Sequence, residues 1–268
     1  MRVHHINCGT MHPRRTPDGL VCHVIVVETE NGLVLVDSGF GLQDAVDPKN
    51  RSGPARFYVR PVFDPDETAL RQLPRLGLDP ADVRHIVLTH FDADHVGGLS
   101  DFPDAHVHLT SAEATAALHP ITATEKRRYL PALRAHHPRL TQHSSLRTDT
   151  WKGFAGATEL TDISPGIVLV NLPGHSRGHA GVAVDAGDRW VLHAGDSFYH
   201  HGQVDGTVKP PLALRMMERI IAQDWERVQA NHERLEEIWT AKDPNLVLVN
   251  AHDPTLLKAA QLRNGRTP

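Results

Sequence analysis

A layered α/β fold is what the sequence predicts, and three observations predict it. Short apolar runs of strand length recur along the chain, with helical spacing of apolar residues between them. The 268 residues lie within what one α/β domain with two packed sheets can occupy, so a single domain over 1–268 is expected. The apolar share of 40%, taken with 20 glycines, comes close to that of soluble globular chains and permits a sizeable core.

Taken in order, strands are expected at 24–27 and 33–36. Asn31-Gly32 between them is a hairpin signal, because both turn positions tolerate positive φ. A helical pattern follows at 67–76, then strands at 86–88 and 107–109. The stretch 111–145 is rich in His, Arg and Thr and poor in strand signal, which predicts a partly helical surface insertion. Its cations Lys126, Arg127, Arg128, Arg134 and Arg139 read as a solvated face. Further strands are expected at 167–170, 182–184, 191–192 and 246–249. One long helical segment is expected over 212–239, where Met216, Ile220, Ile221, Trp225, Val228, Leu235 and Ile238 would form one buried face. The polar tail after Gln261 should fray.

No apolar run reaches the ~18–20 residues that a membrane span needs, and the start MRVHHINCGT lacks the long apolar stretch of a secretory signal. The expectation is a soluble cytoplasmic protein with no membrane partner. The net charge of −4, without a long single-sign block, disfavours nucleic acid as a partner. Cys8 and Cys22 are too few for a disulfide framework and lack the CxxC spacing of a zinc clip, so they read as small buried apolar residues. Histidine is the outlier, with 20 residues, and imidazole is the commonest metal ligand.

The segment Leu88-Thr89-His90-Phe91-Asp92-Ala93-Asp94-His95-Val96-Gly97-Gly98 ends an apolar strand with four candidate ligands in six residues. Singly, Asp92 or Asp94 would serve as a helix N-cap and His95 as a half-exposed polar residue. Three further pieces, each just after a strand, favour a metal: Pro173-Gly174-His175-Ser176-Arg177-Gly178-His179, His193-Ala194-Gly195-Asp196 and Ala251-His252-Asp253. Loops beyond the strand ends of α/β sheets are where sites assemble.

With these residues the chain resembles the metallo-β-lactamase-fold hydrolase superfamily, whose signature is His-x-His-x-Asp-His followed by a lone His, a bridging Asp and a late His. Here the pattern is His90-x-Asp92-x-Asp94-His95, then His175, Asp196 and His252, spread over almost the whole chain. The resemblance implies an αββα sandwich, two mixed sheets face to face with helices outside. Two divalent ions are implied, with zinc first and manganese or iron as alternatives. His90, Asp92 and His175 would hold one ion, Asp94, His95 and His252 the other, and Asp196 would bridge. Asp37, in an early Asp-x-Gly after a strand, would support the ligands, and His179 would stand outside them. His85, His106, His108, His119 and His143 read as ordinary surface or half-buried residues.

Asp92 departs from the family's second histidine. Two divalent ions, three carboxylates and one hydroxide sum to a formal charge of zero, which would weaken attraction for phosphate or sulfate and leave the water less acidic. The implied activity is hydrolysis of a small ester or lactone by a metal-bridging hydroxide, with Asp94 and Tyr199 as catalytic residues. Gly195-Asp196-Ser197-Phe198-Tyr199 looks like the Asp-x-x-Tyr of the acyl-homoserine lactone lactonases, in which the phenol approaches the substrate carbonyl. The alternative for Tyr199 is packing against the insertion with its hydroxyl in water. Trp151 and Phe154 would wall the pocket or fill the core, and Arg177 would meet a substrate carboxylate or cap a loop. A glyoxalase II-like thioesterase and a phosphodiesterase are the alternative activities. A sensing protein that keeps the metal scaffold without efficient turnover is the alternative of another class. The partner expected is a small-molecule substrate, and the sequence sets no oligomeric state.

Overall fold

Asn31-Gly32 does turn the chain between β2 (Leu20–Thr29) and β3 (Gly32–Val36), which pair antiparallel with Thr29 opposite Gly32. This structure is a computed structural model, and it describes residues 1–144 and 149–264. Along the hairpin Ile25, Val27, Val34 and Val36 enter one apolar cluster, while Val24, Val26, Leu33 and Leu35 enter another. The period of two thus buries both faces, which is why these strands read as unbroken apolar runs.

The hairpin belongs to a six-stranded sheet in the order β1-β2-β3-β4-β5-β6. Its other members are β1 (Arg2–Met11), β4 (Val83–Val87), β5 (His106–Thr110) and β6 (Arg139–His143). From β3 to β6 the pairing is parallel. A short hairpin, β7 (Thr150–Trp151) and β8 (Phe154–Ala155), leads into the second sheet. That sheet holds β9 (Ala157–Glu159), β10 (Ile167–Asn171), β11 (Ala180–Asp185), β12 (Trp190–His193) and β13 (Leu246–Val249), in the order β13-β12-β11-β10-β9. It too is mixed, with β12 and β13 parallel and the rest antiparallel.

Helices α1 (Leu42–Val46), α2 (Pro48–Ser52), α3 (Arg56–Val59) and α4 (Ala69–Gln72) follow the first hairpin. Then come α5 (Ala93–Val96), α6 (Ser111–Leu118), α7 (Ala123–Arg128), α8 (Leu212–Ile221), α9 (Trp225–Thr240) and α10 (Pro254–Asn264). Ala114, Ala116 and Ala117 of α6 close over the outer face of the first sheet beside Leu73, Leu99 and Tyr129. Leu235 of α9 and Leu256 of α10 join the apolar cluster that includes both faces of the second sheet and the inner face of the first. The order is helix, sheet, sheet, helix, the αββα sandwich expected. Among the described residues no helix is long and apolar enough to cross a membrane.

Four expectations need correction. The segment 212–239 is two helices, broken at residues 222–224, and Met216 and Ile220 of α8 are 55% and 75% exposed rather than on a buried face. The stretch 111–145 is partly helical, but it also supplies β6 at the edge of the first sheet and the buried side chains of Glu113, Glu125, Tyr129 and Leu133. Ser145 itself lies outside the described residues. The chain beyond Gln261 stays helical to Asn264, whose Nδ2 donates to the Val3 carbonyl at 2.6 Å; residues 265–268 lie outside the described residues. His108 is buried, and its ring is hydrogen-bonded to His85 at 2.9 Å and to His143 at 3.0 Å across neighbouring strands.

Candidate metal centre

The seven expected ligands lie in four segments, each of which follows a strand. His90 follows β4, His175 follows β10, Asp196 follows β12 and His252 follows β13. Asp92 stands at the N-cap of α5, yet its side chain makes no capping hydrogen bond; Asp94 and His95 lie within that helix. Two close approaches hold the loops together. Gly195, at φ 55°, leaves space where a Cβ would stand 2.5 Å from His179 Nε2. A Cβ on Gly178 would lie 2.0 Å from the Glu113 amide nitrogen.

Each ligand imidazole is oriented through Nδ1. His95 donates to Asp37 Oδ2 at 2.8 Å, and His252 donates to the Val21 carbonyl at 2.8 Å. Thr89 Oγ1 donates to Asp37 Oδ2, which leaves it to accept from His90 Nδ1 at 3.0 Å. His175 Nδ1 lies 3.4 Å from the Tyr199 hydroxyl. Such partners fix the tautomer, and here they turn all four Nε2 lone pairs inward. Asp37 takes the left-handed conformation, φ 58°, and also accepts the Thr89 amide at 2.7 Å.

The inward atoms form overlapping groups: His90, Asp92 and His175; His90, His95 and Asp196; Asp94, His95 and His252. Asp92 Oδ2 is 3.1 Å from His175 Nε2 and 3.4 Å from His90 Nε2. Asp94 Oδ2 is 3.6 Å from His252 Nε2. Asp196 stands between, with Oδ1 3.2 Å from His95 Nε2 and Oδ2 3.6 Å from His175 Nε2. His90 Nε2, His95 Nε2 and Asp196 Oδ1 are buried without a hydrogen-bond partner. Burial of orphaned polar atoms is costly, and four imidazoles with three carboxylates are donors suited to divalent ions of borderline softness. The residues present therefore fit two such ions.

Burial alone would raise the Asp196 carboxyl pKa, but His252 and His95 hold it well below the usual range. Asp92 behaves alike, with Arg128 first and His90 next overcoming burial. Burial and then the Arg128 charge push His175 down to about 4. Burial, followed by the Asp196 charge, raises the Tyr199 phenol well above its ordinary value, so Tyr199 keeps its proton. Its hydroxyl donates to Asp196 Oδ2 at 2.9 Å rather than to water, and its ring stacks on His252 at 5.2 Å. His179 is outside the cluster, accepting the Asp196 amide at Nε2 and donating from Nδ1 to the Leu172 carbonyl.

Above the cluster lies a cavity of about 280 Å³, walled by Phe40, Tyr58, Val59, Met217, Ile220 and Ile221. Trp151 and Phe154 are not among its walls: Phe154 is buried in the apolar cluster with Arg234 of α9 over its ring, and Trp151 is half-buried against Trp190. Arg177 pairs with Glu125 and so ties a loop.

Two residues escaped sequence reasoning. Glu113 is buried and accepts from the Phe91 amide, the Tyr129 hydroxyl, the Ser176 hydroxyl and the Gly178 amide, tying the His90 loop to the His175 loop. Thr110-x-x-Glu113, a helix-start pattern, is its faint sequence signal. Arg128, read as part of a solvated face, has a side chain only 8% exposed and pairs with Asp92 at 3.3 Å. Its burial is set by contacts distant in sequence, which no local pattern encodes. Its guanidinium places a positive charge beside the Asp92 carboxylate, as the buried Asp37 carboxylate places a negative one beside His95.

Residues 17–238 match the model of the metallo-beta-lactamase superfamily. The chain is 49% identical to "Probable metallo-hydrolase Rv2300c" of Mycobacterium tuberculosis, over 97% of this chain and 83% of that protein. It is 26% identical to the N-acyl homoserine lactonase AiiA of Bacillus thuringiensis subsp. kurstaki, over 73% of each. Among solved structures it resembles an N-acyl homoserine lactone hydrolase with N-hexanoyl-L-homoserine at its catalytic metal centre. That likeness has a TM-score of 0.70 at 22% identity and covers 96% of this chain and 95% of the other.

Proposed function

The chain belongs to the metallo-beta-lactamase superfamily and is a metal-dependent hydrolase, and on that premise we propose that it opens a small lactone or ester at a centre of two divalent ions. The observation that carries the reading is Tyr199, a protonated phenol at the floor of a largely apolar cavity and 2.9 Å from the carboxylate between the two ligand groups. The lactonase relatives support the same class of bond.

In this reading His90, Asp92 and His175 hold one ion, Asp94, His95 and His252 the other, and Asp196 reaches both. Bound there, the ions would supply water made acidic near neutral pH and polarisation of the substrate carbonyl. The protein's own residues do the rest. The cavity walls exclude water around the acyl part of the substrate. Tyr199 donates its hydrogen bond to the oxygen on which charge develops, a contribution of about 3–4 kcal/mol for a well-placed donor. Asp94 lines the cavity, so that its carboxylate takes up a proton and returns it to the departing oxygen as the carbon–oxygen bond breaks.

A phosphodiesterase is the second reading, favoured by Arg127 and Arg128 at the cavity. Turnover measured on N-acyl homoserine lactones, neutral esters, a glutathione thioester and an aryl phosphodiester separates these. Lactone or ester hydrolysis well above that of chelator-treated protein is expected. Phosphodiester hydrolysis alone, or no turnover, contradicts the proposal.

A further inference from the structure

The Asp92 carboxylate is split between two neighbours. Oδ2 faces His175 and His90, whereas Oδ1 faces the Arg128 Nε at 3.3 Å as an ion pair without hydrogen-bond geometry. Arg128 is held firmly: Nη1 donates to the His175 carbonyl at 2.6 Å and Nη2 to the Ile221 carbonyl at 2.7 Å. The Ile221 carbonyl is free to accept because α8 ends there. Across the break the Gln223 and Asp224 amides donate to the Gly174 carbonyl, each at 2.9 Å. The guanidinium therefore touches a candidate ligand, the backbone of a second candidate ligand and the helix end that anchors that ligand's loop.

An imidazole at position 92 would be neutral and need no counter-charge. A carboxylate adds one negative charge, and among the described residues Asp92 is the carboxylate with which Arg128 pairs. We propose that Asp92 and Arg128 work as a matched pair, in which Arg128 is a positioning residue that turns one carboxylate oxygen toward the first ion and cancels the charge of the other. It follows that Asp92→His alone does not restore an ordinary first site. That change strands a buried guanidinium beside a dication, and a buried charge that loses its partner is strongly unfavourable.

The inference rests on the reading of the seven residues as a metal centre, and a double-mutant cycle tests it in the full-length protein. Zinc affinity is measured by chelator competition, and zinc content by elemental analysis, for wild type, Asp92→His, Arg128→Gln and the double variant. Loss of a partner that orients a ligand lowers metal affinity ~10–100-fold, so each single variant should weaken the first site by that order. The double variant should recover most of the loss, because a neutral imidazole no longer needs the guanidinium. A role confined to stapling the His175 loop predicts the opposite, that Arg128→Gln is equally harmful in both backgrounds.

Arg128→Lys supplies a check independent of the double variant's folding, with the urea midpoint followed alongside. It keeps the charge and should retain more first-site zinc than Arg128→Gln. Additive losses, equal loss in the Lys and Gln variants, or an Asp92→His protein that binds two zinc ions as tightly as wild type would overturn the pairing. Coupled zinc binding in a protein that turns over no lactone or ester would defeat only the proposed activity. Turnover with uncoupled variants would defeat only the pairing, and a wild type that binds none of zinc, manganese and iron would defeat both.

Discussion

The Tyr199 hydroxyl has one strong partner, the Asp196 carboxylate, and a proton that burial keeps in place. If that proton serves the developing oxyanion, Tyr199→Phe should lower kcat on lactones by ~10²-fold with metal content unchanged, since the donor matters mainly in the transition state. Steady-state kinetics beside elemental analysis checks this, and an unchanged kcat would reduce Tyr199 to packing on His252. Among single residues, the seven donors were legible because strand ends concentrate them in four short motifs. Asp37 was legible for the same reason. Arg128 and Glu113 were not, because an arginine on a short polar helix and a glutamate three residues into another look solvated until the His175 loop covers them.

Elements with a clear period or a turn signal were read well, and those shaped by distant partners were not. The β2–β3 hairpin and the parallel strands announce themselves as apolar runs. The break between α8 and α9 does not, since the amides and carbonyl it frees are used by Gly174 and Arg128, far away in sequence. β1 was missed because histidines interrupt its apolar pattern, and one of them, His5, is buried against His23 at 2.9 Å. That burial has a consequence for stability. Burial, then His193, lowers His5 from its ordinary 6.5 to about 3, and burial, then His85, does the same to His108. Both rings are neutral in the fold but gain protons on unfolding below 6.5. Their contribution is thus complete above pH 6.5 and is lost as pH falls toward 3. Urea midpoints should fall over that window, and more shallowly in His5→Gln and His108→Gln proteins. Slopes identical to that of wild type would contradict the assignment.

At the scale of the whole molecule, two sheets share one apolar interior and deliver their loops to a single edge, so residues from position 90 to position 252 meet within a few ångströms. The αββα order followed from a resemblance carried by the ligand motifs, whereas the composition and runs alone led only to a layered α/β chain. The central claim is that this edge holds two divalent ions in two distinguishable sites. Elemental analysis of gently purified wild type, His175→Ala, His252→Ala and Asp196→Ala proteins, each supplemented with zinc or manganese, tests it most directly. Two ions per chain are expected in wild type, about one in each histidine variant, retained by the other site, and fewer than one when Asp196 is lost. Fewer than one ion per wild-type chain after supplementation, or histidine variants that keep both, would contradict the account.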